Sequence, residues 1–282
     1  MGRFSGVLIA SDFDNTLAHT SAALEAGLET PTISEENKKA IEEFMAEGGI
    51  FAVSTGRSIP SFEHVRHGIP MNAPTILFNG AAIYDYATGE YRAQAFLPET
   101  VRPHAVQLLA DWPEVGCEVY HDDNSIQSLQ PNHWTHEHLH LTHSPTVTVE
   151  TMDQIPSPIS KILFEADSAT LEKVERYIKN QTWGGEYEIV RSSDYLLEMT
   201  AKGATKGCMV VRLRELLGIA PENMYCIGDY DNDVDMLLAS AIPFAPENAI
   251  EAIHQIPGVH ILPPCWENTM VAMVEELKKR YL

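Results

Sequence analysis

Basic residues are scarce in this chain. Its 282 residues include 19 lysines and arginines against 40 aspartates and glutamates, so the formal net charge is -21 at pH 7. A protein of that sign repels the phosphate backbone of nucleic acids and the anionic surface of membranes. We therefore expect neither a nucleic acid nor a membrane among its partners.

Cysteine is rare as well, and long apolar runs are lacking. The four cysteines, Cys117, Cys208, Cys226 and Cys265, show no CxxC spacing, which favours free thiols in a reducing compartment over a disulfide framework or a zinc site. No run approaches the ~20 apolar residues of a membrane-spanning helix. The first run, residues 7–10, is too short for the core of a signal peptide. These absences predict a cytoplasmic protein.

Short apolar runs alternate with helical patterns at both ends of the chain. Residues 6–10, 49–53 and 75–78 are continuous apolar runs, as expected of strands that are covered on both faces of a parallel sheet. A helical pattern over residues 34–47 separates the first two runs. The alternation resumes after about residue 194. This order predicts an α/β fold with a Rossmann-like parallel sheet.

The middle of the chain lacks this regular alternation. Paired short strands are predicted there, for example over residues 116–121 and 161–166. We therefore predict an inserted α+β cap domain over residues 85–193. The catalytic core would then consist of residues 1–84 and 194–282.

Two carboxylates, Asp12 and Asp14, directly follow the first predicted strand. Open α/β sheets place their ligand crevice at the carboxyl ends of the strands. Because side chains alternate along an extended chain, both carboxylates face that crevice while Phe13 turns towards the core. An isolated pair of this kind is more often an acidic turn that caps a helix, so its interpretation depends on the rest of the chain.

Three further polar motifs follow predicted strands or precede a helix. Thr55 and Gly56 end the second strand, Lys206 precedes a helical pattern, and Gly-Asp-Tyr-Asp-Asn-Asp occupies residues 228–233. Taken alone, the threonine also fits a helix cap and the lysine a surface position. The acidic side chains of the last motif repel one another unless a cation lies among them, which predicts a metal site.

In this order, the four motifs resemble those of the haloacid dehalogenase superfamily of phosphotransferases. Residues 12–17, Asp-Phe-Asp-Asn-Thr-Leu, resemble its first motif, with Asn15 where that family usually has glycine. Asn79-Gly80-Ala81 and the long insert resemble the Cof-type subfamily, which implies a C2-type cap. The resemblance covers roughly residues 5–84 and 194–282.

The resemblance implies a Mg²⁺-dependent phosphatase that hydrolyses a small phosphorylated metabolite such as a sugar phosphate. We expect a monomer or a homodimer, between which the sequence does not decide. Asp12 would form an aspartyl phosphate, and Asp14 would serve as general acid and base. Mg²⁺ would be held by Asp12, by the Asp14 backbone carbonyl and by Asp229, with Asp233 as a further ligand or a support behind them. The implied phosphate-binding residues are Thr55, Gly56, Lys206 and Asn232.

Three other functions differ from this one in the chemistry that they require. A sugar phosphomutase shares the first chemical steps but returns the phosphoryl group to the sugar, and the sequence leaves that alternative open. A protein that only binds a phosphorylated metabolite has no chemical use for both Asp12 and Asp14. A dehalogenase has no need of the acidic cluster.

The predicted cap carries polar residues that we assign to substrate recognition. The candidates are His121, Asp122, Asp123 and Asn124. A group of five histidines follows, at His133, His136, His138, His140 and His143. We interpret these as solvated positions or substrate contacts, with a transition-metal site as the alternative.

Overall fold

The computed structural model describes residues 2–28, 31–122 and 124–281. Within these residues the chain forms a five-stranded sheet, a six-stranded sheet and a small three-stranded sheet. No helix in the described part of the chain is both long enough and apolar enough to cross a membrane.

The strands are β1 (Leu8–Ser11), β2 (Ile50–Val53), β3 (Thr75–Leu77), β4 (Ala82–Asp85), β5 (Glu90–Gln94), β6 (Gly116–His121), β7 (Ile126–Leu129), β8 (Thr146–Thr148), β9 (Ile159–Glu165), β10 (Tyr187–Ser193), β11 (Leu196–Ala201), β12 (Met224–Ile227), β13 (Pro243–Pro246) and β14 (His260–Leu262). The helices are α1 (Thr20–Glu25), α2 (Glu35–Ala46), α3 (Ile59–Arg66), α4 (Val101–Asp111), α5 (His133–Thr142), α6 (Ser168–Asn180), α7 (Lys206–Leu216), α8 (Val234–Ala239), α9 (Glu251–His254) and α10 (Thr269–Arg280).

The five-stranded sheet is parallel throughout, in the order β14-β13-β12-β1-β2. Its central strand β1 is buried along its whole length. Ile9 packs into the hydrophobic cluster on one face, whereas Leu8 and Ala10 pack into the cluster on the other. A strand between two apolar layers has no polar face, which explains the continuous apolar run in the sequence. The predicted α/β fold is confirmed.

Helix α2 shows how local signals placed the elements of this layer. Its N-cap Ser34 accepts a hydrogen bond from the backbone N–H of Asn37 through Oγ, satisfying a donor that the first turn leaves free. The apolar face of the helix, which includes Ile41 and Phe44, is buried against the sheet. The helix predicted over residues 34–47 is therefore present.

The six-stranded sheet has the order β10-β11-β9-β6-β7-β8 and is antiparallel except between β7 and β8. One face is covered by α4 and α6 through a separate hydrophobic cluster. The opposite face sends Tyr120 and Leu163 into the cluster of the parallel sheet. An inserted α+β region is thus present beside the parallel sheet. Its sheet includes β11, which lies beyond residue 193; the domain boundaries stay a prediction.

Candidate active site

The ends of β1 and β12 bring three carboxylates together. The backbone N–H of Asp12 donates to the Ile227 carbonyl at 2.9 Å, which ties the two strand ends to each other. Carboxylate oxygens of Asp12, Asp229 and Asp233 all lie within 4.8 Å of one another, and all three residues are buried. Parallel strands end at the same edge of the sheet, so motifs more than two hundred residues apart meet here.

Lys206 lies among these carboxylates. Its Nζ is 2.6 Å from Asp12 Oδ1 and 2.7 Å from Asp233 Oδ1. Lys206 is the first residue of α7, which Thr205 caps. The loop after β3 passes so close to this helix start that a Cβ on Gly80 would lie 2.2 Å from the Thr205 carbonyl carbon. Glycine at that position is what allows α7 to deliver the lysine to the strand ends.

Asp233 holds the acidic loop in shape. Its Oδ2 accepts hydrogen bonds from the backbone N–H groups of Asp229 at 3.0 Å and Tyr230 at 3.2 Å, while Oδ1 faces Lys206. Gly228 makes room for this carboxylate, since a Cβ there would lie 2.4 Å from Asp233 Cγ. Both oxygens are therefore engaged, which favours a supporting role for Asp233 over direct metal ligation.

The electrostatics of the cluster fit a divalent cation. Burial, reinforced by the charges of Asp233 and Asp14 and opposed by Lys206, raises the pKa of Asp12 to about 7. Burial, together with the charges of Asp12 and Asp233, raises the pKa of Asp229 well above its ordinary value. Carboxylates that resist ionisation together are stabilised by a nearby cation, and an all-oxygen donor set is the one Mg²⁺ prefers. Asp12 and Asp229 fit that ion.

Asp14 lies in a different environment from Asp12. Arg57 makes a two-pronged contact with its carboxylate, from Nη2 to Oδ1 at 2.7 Å and from Nε to Oδ2 at 3.0 Å. Thr20 donates a further hydrogen bond. Burial alone would raise the pKa of Asp14, but the Arg57 guanidinium outweighs it and holds that pKa below its ordinary value. Asp14 is thus a carboxylate here, and Arg57 is a partner that the sequence reasoning missed.

The loops after β2 and β3 form the other side of the cleft. Thr55 is buried, and its Oγ1 accepts from the Arg57 backbone N–H at 3.2 Å. It does not cap α3, because Ser58 does so. A Cβ on Gly56 would lie 2.9 Å from Asn79 Nδ2. That amide nitrogen is buried beside Gly56, and the Asn79 side chain also interacts with the Glu198 carboxylate and helps to lower its pKa.

Asn232 and Asn79 connect the acidic loop to this side of the cleft. Asn232 Nδ2 donates to Asn79 Oδ1 at 2.9 Å, which orients the Asn79 amide group. Asn79 has a φ of 52°, a left-handed conformation that asparagine tolerates better than most residues. In the sequence, the signal for Asn79 is the Asn-Gly pair directly after a strand, which there indicates only the family resemblance.

A lysine from the six-stranded sheet reaches the same loop. Lys161 Nζ donates to the Gly56 carbonyl oxygen at 3.0 Å, pairs with Glu198 at 2.8 Å and lies 4.5 Å from the centre of the Tyr120 ring. A buried lysine requires such partners. Sequence reasoning assigned it no role, because it stands at the head of an apolar run that otherwise indicates only a strand.

Two of the residues proposed for substrate recognition form hydrogen bonds with other residues of the protein. His121 is buried, with Nδ1 3.2 Å from the Pro158 carbonyl oxygen. The carbonyl of exposed Asp122 accepts from Tyr91 Oη. Asn124 is half-buried with a φ of 66°, and Asp123 lies outside the described residues. Their assignment to the substrate stays a prediction.

The five histidines of the cap separate into different environments. All but His143 lie within α5, where His133 and His136 are exposed and His138 turns towards the sheet. The histidines therefore form no single shared cluster, and only His138 approaches buried carboxylates among the described residues.

The fold and the strand-end cluster define a hydrolase of one large superfamily. A family model described as haloacid dehalogenase-like hydrolase matches residues 9–258, so the chain belongs to that family. The predicted Cof-type resemblance and the predicted enzyme class, a phosphatase of this superfamily, are confirmed.

Known relatives extend over nearly the whole chain. A 5-amino-6-(5-phospho-D-ribitylamino)uracil phosphatase of Bacillus subtilis is 24% identical over 270 residues, covering 88% of this chain and 89% of that protein. A solved haloacid dehalogenase-like hydrolase from B. subtilis has a TM-score of 0.79 at 22% identity, covering 96% of this chain and 99% of the other. A sugar phosphatase of subclass IIB of the superfamily has the same TM-score at 20% identity, with the same coverage.

Proposed function

We propose that this protein is a Mg²⁺-dependent phosphatase that uses Asp12 to cleave the phosphate ester of a small sugar or polyol phosphate. The observation that carries the proposal is the convergence of Asp12 and Asp229 on Lys206 at the strand ends. A nucleophile, a place for a divalent cation and a fixed positive charge are thereby within reach of one phosphoryl group.

Asp12 is the nucleophile in this proposal. One of its oxygens attacks phosphorus, the ester bond to the leaving alcohol breaks, and an aspartyl phosphate forms. Lys206 offsets negative charge on the phosphoryl oxygens, while Asn79 Nδ2 and the backbone beside Gly56 offer neutral donors. Asp12 and Asp229 would hold Mg²⁺, which would supply further positive charge to the phosphoryl oxygens and would favour the ionised form of Asp12.

Asp14 handles the protons in this proposal. Paired with Arg57 it is ionised, which suits removal of a proton from the water that hydrolyses the aspartyl phosphate. To protonate the leaving alcohol in the first step, Asp14 must first gain a proton, and the Arg57 contact opposes that. We infer that Asp14 separates from Arg57 when it acts as the acid, because without the guanidinium its burial raises its pKa.

The substrate class is inferred from the charge of the site and from the relatives. The buried lysines Lys161 and Lys206 provide local positive charge in an acidic protein, as a phosphate dianion requires. Two similar proteins are a phosphatase of a phosphorylated ribitylaminouracil and a sugar phosphatase. We also retain a cytoplasmic location as a proposal, in keeping with four free cysteines.

A substrate panel tests this function. The purified protein would be incubated with sugar phosphates, polyol phosphates, nucleotides and phosphorylated cofactors, with Mg²⁺ and with EDTA, and inorganic phosphate would be measured. We expect Mg²⁺-dependent release from a sugar or polyol phosphate. An isomerised phosphosugar without phosphate release would instead identify a phosphomutase, and full activity in EDTA would rule out the metal requirement.

A further inference from the structure

A second group of metal-ligand side chains lies in the six-stranded sheet, away from the strand-end site. Glu118 on β6 and Glu165 on β9 are buried, and His138 on α5 packs over them. One ligand atom from each lies within 4.8 Å of the other two. Glu118 and Glu165 project from the face of the sheet that also carries Tyr120 and Leu163, since side chains two residues apart share a face.

The distances suit a small transition-metal ion. His138 Nδ1 is 3.1 Å from Glu118 Oε1 and 3.6 Å from Glu165 Oε1. Two ligand atoms of a tetrahedral zinc ion at the usual bond lengths are about 3.3 Å apart. One imidazole and two carboxylates are ordinary ligands for Zn²⁺ and related divalent ions.

The outer oxygens of the two carboxylates are already held by hydroxyl groups. Tyr120 Oη donates to Glu118 Oε2 at 2.5 Å, and Thr135 Oγ1 donates to Glu165 Oε2 at 2.5 Å. Hydrogen bonds of this kind orient metal-binding carboxylates in known sites. His138 Nδ1 faces both oxygens of Glu118, at 3.1 Å and 3.2 Å, and Oε1 of Glu165.

A buried carboxylate oxygen faces the centre of this group. Glu165 Oε1 receives no hydrogen bond from a donor group of any residue that the structure describes; it lies 3.6 Å from His138 Nδ1 and close to the Glu118 carboxylate, with which it can share a proton. A buried carboxylate oxygen left in this way is costly. We propose that Glu118, His138 and Glu165 bind one divalent transition-metal ion of the zinc class, separate from the Mg²⁺ site.

The competing explanation is a proton. Burial and the neighbouring Glu118 raise the pKa of Glu165 well above its ordinary value, so a protonated Glu165 could satisfy the group without metal. A metal ion would displace that proton, because carboxylate ligands bind in their ionised form. The side chain of His138 is 12% exposed, which gives an ion a route from solvent.

Zinc binding to the full chain distinguishes the two explanations. Chelator-stripped protein carrying Asp229→Asn, which impairs the strand-end site, would be titrated with Zn²⁺ by calorimetry and with Co²⁺ by visible absorption. We expect one equivalent of Zn²⁺ and the ligand-field bands of a low-coordinate Co²⁺ site. Glu165→Gln and His138→Gln should each weaken Zn²⁺ binding by at least about tenfold, the loss seen even for supporting residues of metal sites.

The matched control is His136→Gln, a histidine on the same helix that is exposed; it should leave Zn²⁺ binding unchanged. Circular dichroism would establish that each variant is folded, and His138→Gln, at the more accessible position, covers the case in which Glu165→Gln is not. Zn²⁺ binding that is absent from the Asp229→Asn protein, or that is unchanged when Glu165→Gln or His138→Gln is added to it, overturns the proposal and favours the shared proton.

Discussion

The strand-end cluster of Asp12, Asp229 and Asp233 and the cap cluster of Glu118, His138 and Glu165 both bring together largely buried side chains of types that bind metals, yet they are assembled differently. Asp12, Asp229 and Asp233 belong to short motifs directly after parallel strands, and Lys206 lies among them. The cap cluster combines Glu118 and Glu165 from antiparallel strands with a histidine from a helix, and two hydroxyl groups hold its outer oxygens.

The two clusters therefore differ in what stabilises their carboxylates: a buried lysine at the strand ends, and hydrogen bonds from hydroxyl groups in the cap cluster. The strand-end site has to admit a phosphate dianion, so a buried lysine is useful there despite its desolvation cost. The cap triad makes no such demand, and hydroxyl donors suffice to orient its carboxylates. The following experiments test this division between a chemical site in the core and a supporting region in the cap.

The largest effect is expected from Asp12→Asn. An amide is a poor nucleophile, so kcat should fall by at least about 10³-fold while Zn²⁺ binding at the cap triad is retained. Phosphate release from the best substrate measures kcat, and calorimetry measures Zn²⁺ binding. Substantial remaining turnover, after ruling out deamidation of the asparagine by mass spectrometry, would remove Asp12 from the nucleophile role.

Lys206→Met should lower the free energy of unfolding of the metal-free protein by about 3–5 kcal/mol, because removal of one partner leaves buried carboxylates without their cation. Urea unfolding in EDTA measures this loss. Added Mg²⁺ should recover part of the stability if the ion binds among those carboxylates. Lys202→Met, at an exposed lysine nearby, is the control and should leave stability within about 0.5 kcal/mol of wild type.

Glu198→Gln should lower the free energy of unfolding by about 3 kcal/mol near neutral pH. This is the low end of the loss expected when a buried ion pair is broken, because Lys161 keeps its contacts with Gly56 and Tyr120. Burial raises the pKa of Glu198, but Lys161 outweighs it, so the folded-state value lies below the ordinary 4.5. A depressed carboxyl pKa stabilises the fold above the unfolded value and loses that contribution as pH falls through the folded value.

The stability gap between wild type and Glu198→Gln should therefore be constant above about pH 5.5 and narrow as the pH drops below 4.5. Chemical unfolding at a series of pH values measures the gap. A gap that stays constant down to acid pH would show that the Glu198 carboxylate is not stabilised by Lys161.

The smallest effect concerns substrate choice. If residues of the cap contact the leaving group, His121→Ala and Asn124→Ala should change the ratio of kcat/KM between the best metabolite and p-nitrophenyl phosphate. We expect a change of about tenfold, which is typical of the loss of a few contacts. The small ester barely needs the cap and should react at a nearly unchanged rate. Equal loss with both substrates would mean that these residues support the core instead.

Much of the core was predictable because its signals are local. The apolar runs that became β1, β2 and β12, the Ser34 cap and the polar residues following each strand all act over a few neighbouring positions. Asn15, at the position where the family usually has glycine, has a φ of 58°, a left-handed conformation that asparagine tolerates better than most residues. The charge state of Asp14 was harder to predict from the sequence, because its partner Arg57 belongs to another strand-end loop, 43 residues away.

Periodicity and motif spacing are properties of contiguous residues. They were enough to predict the alternation of strands and helices at both ends of the chain, the parallel core, the positions of Asp12 and Asp229 after strands and that of Lys206 before a helix. The tertiary structure alone decided that Lys161 reaches Gly56 across 105 residues and that His138 closes over Glu118 and Glu165. Such contacts depend on which faces of separate elements are packed together, and burial then makes each polar partner energetically necessary.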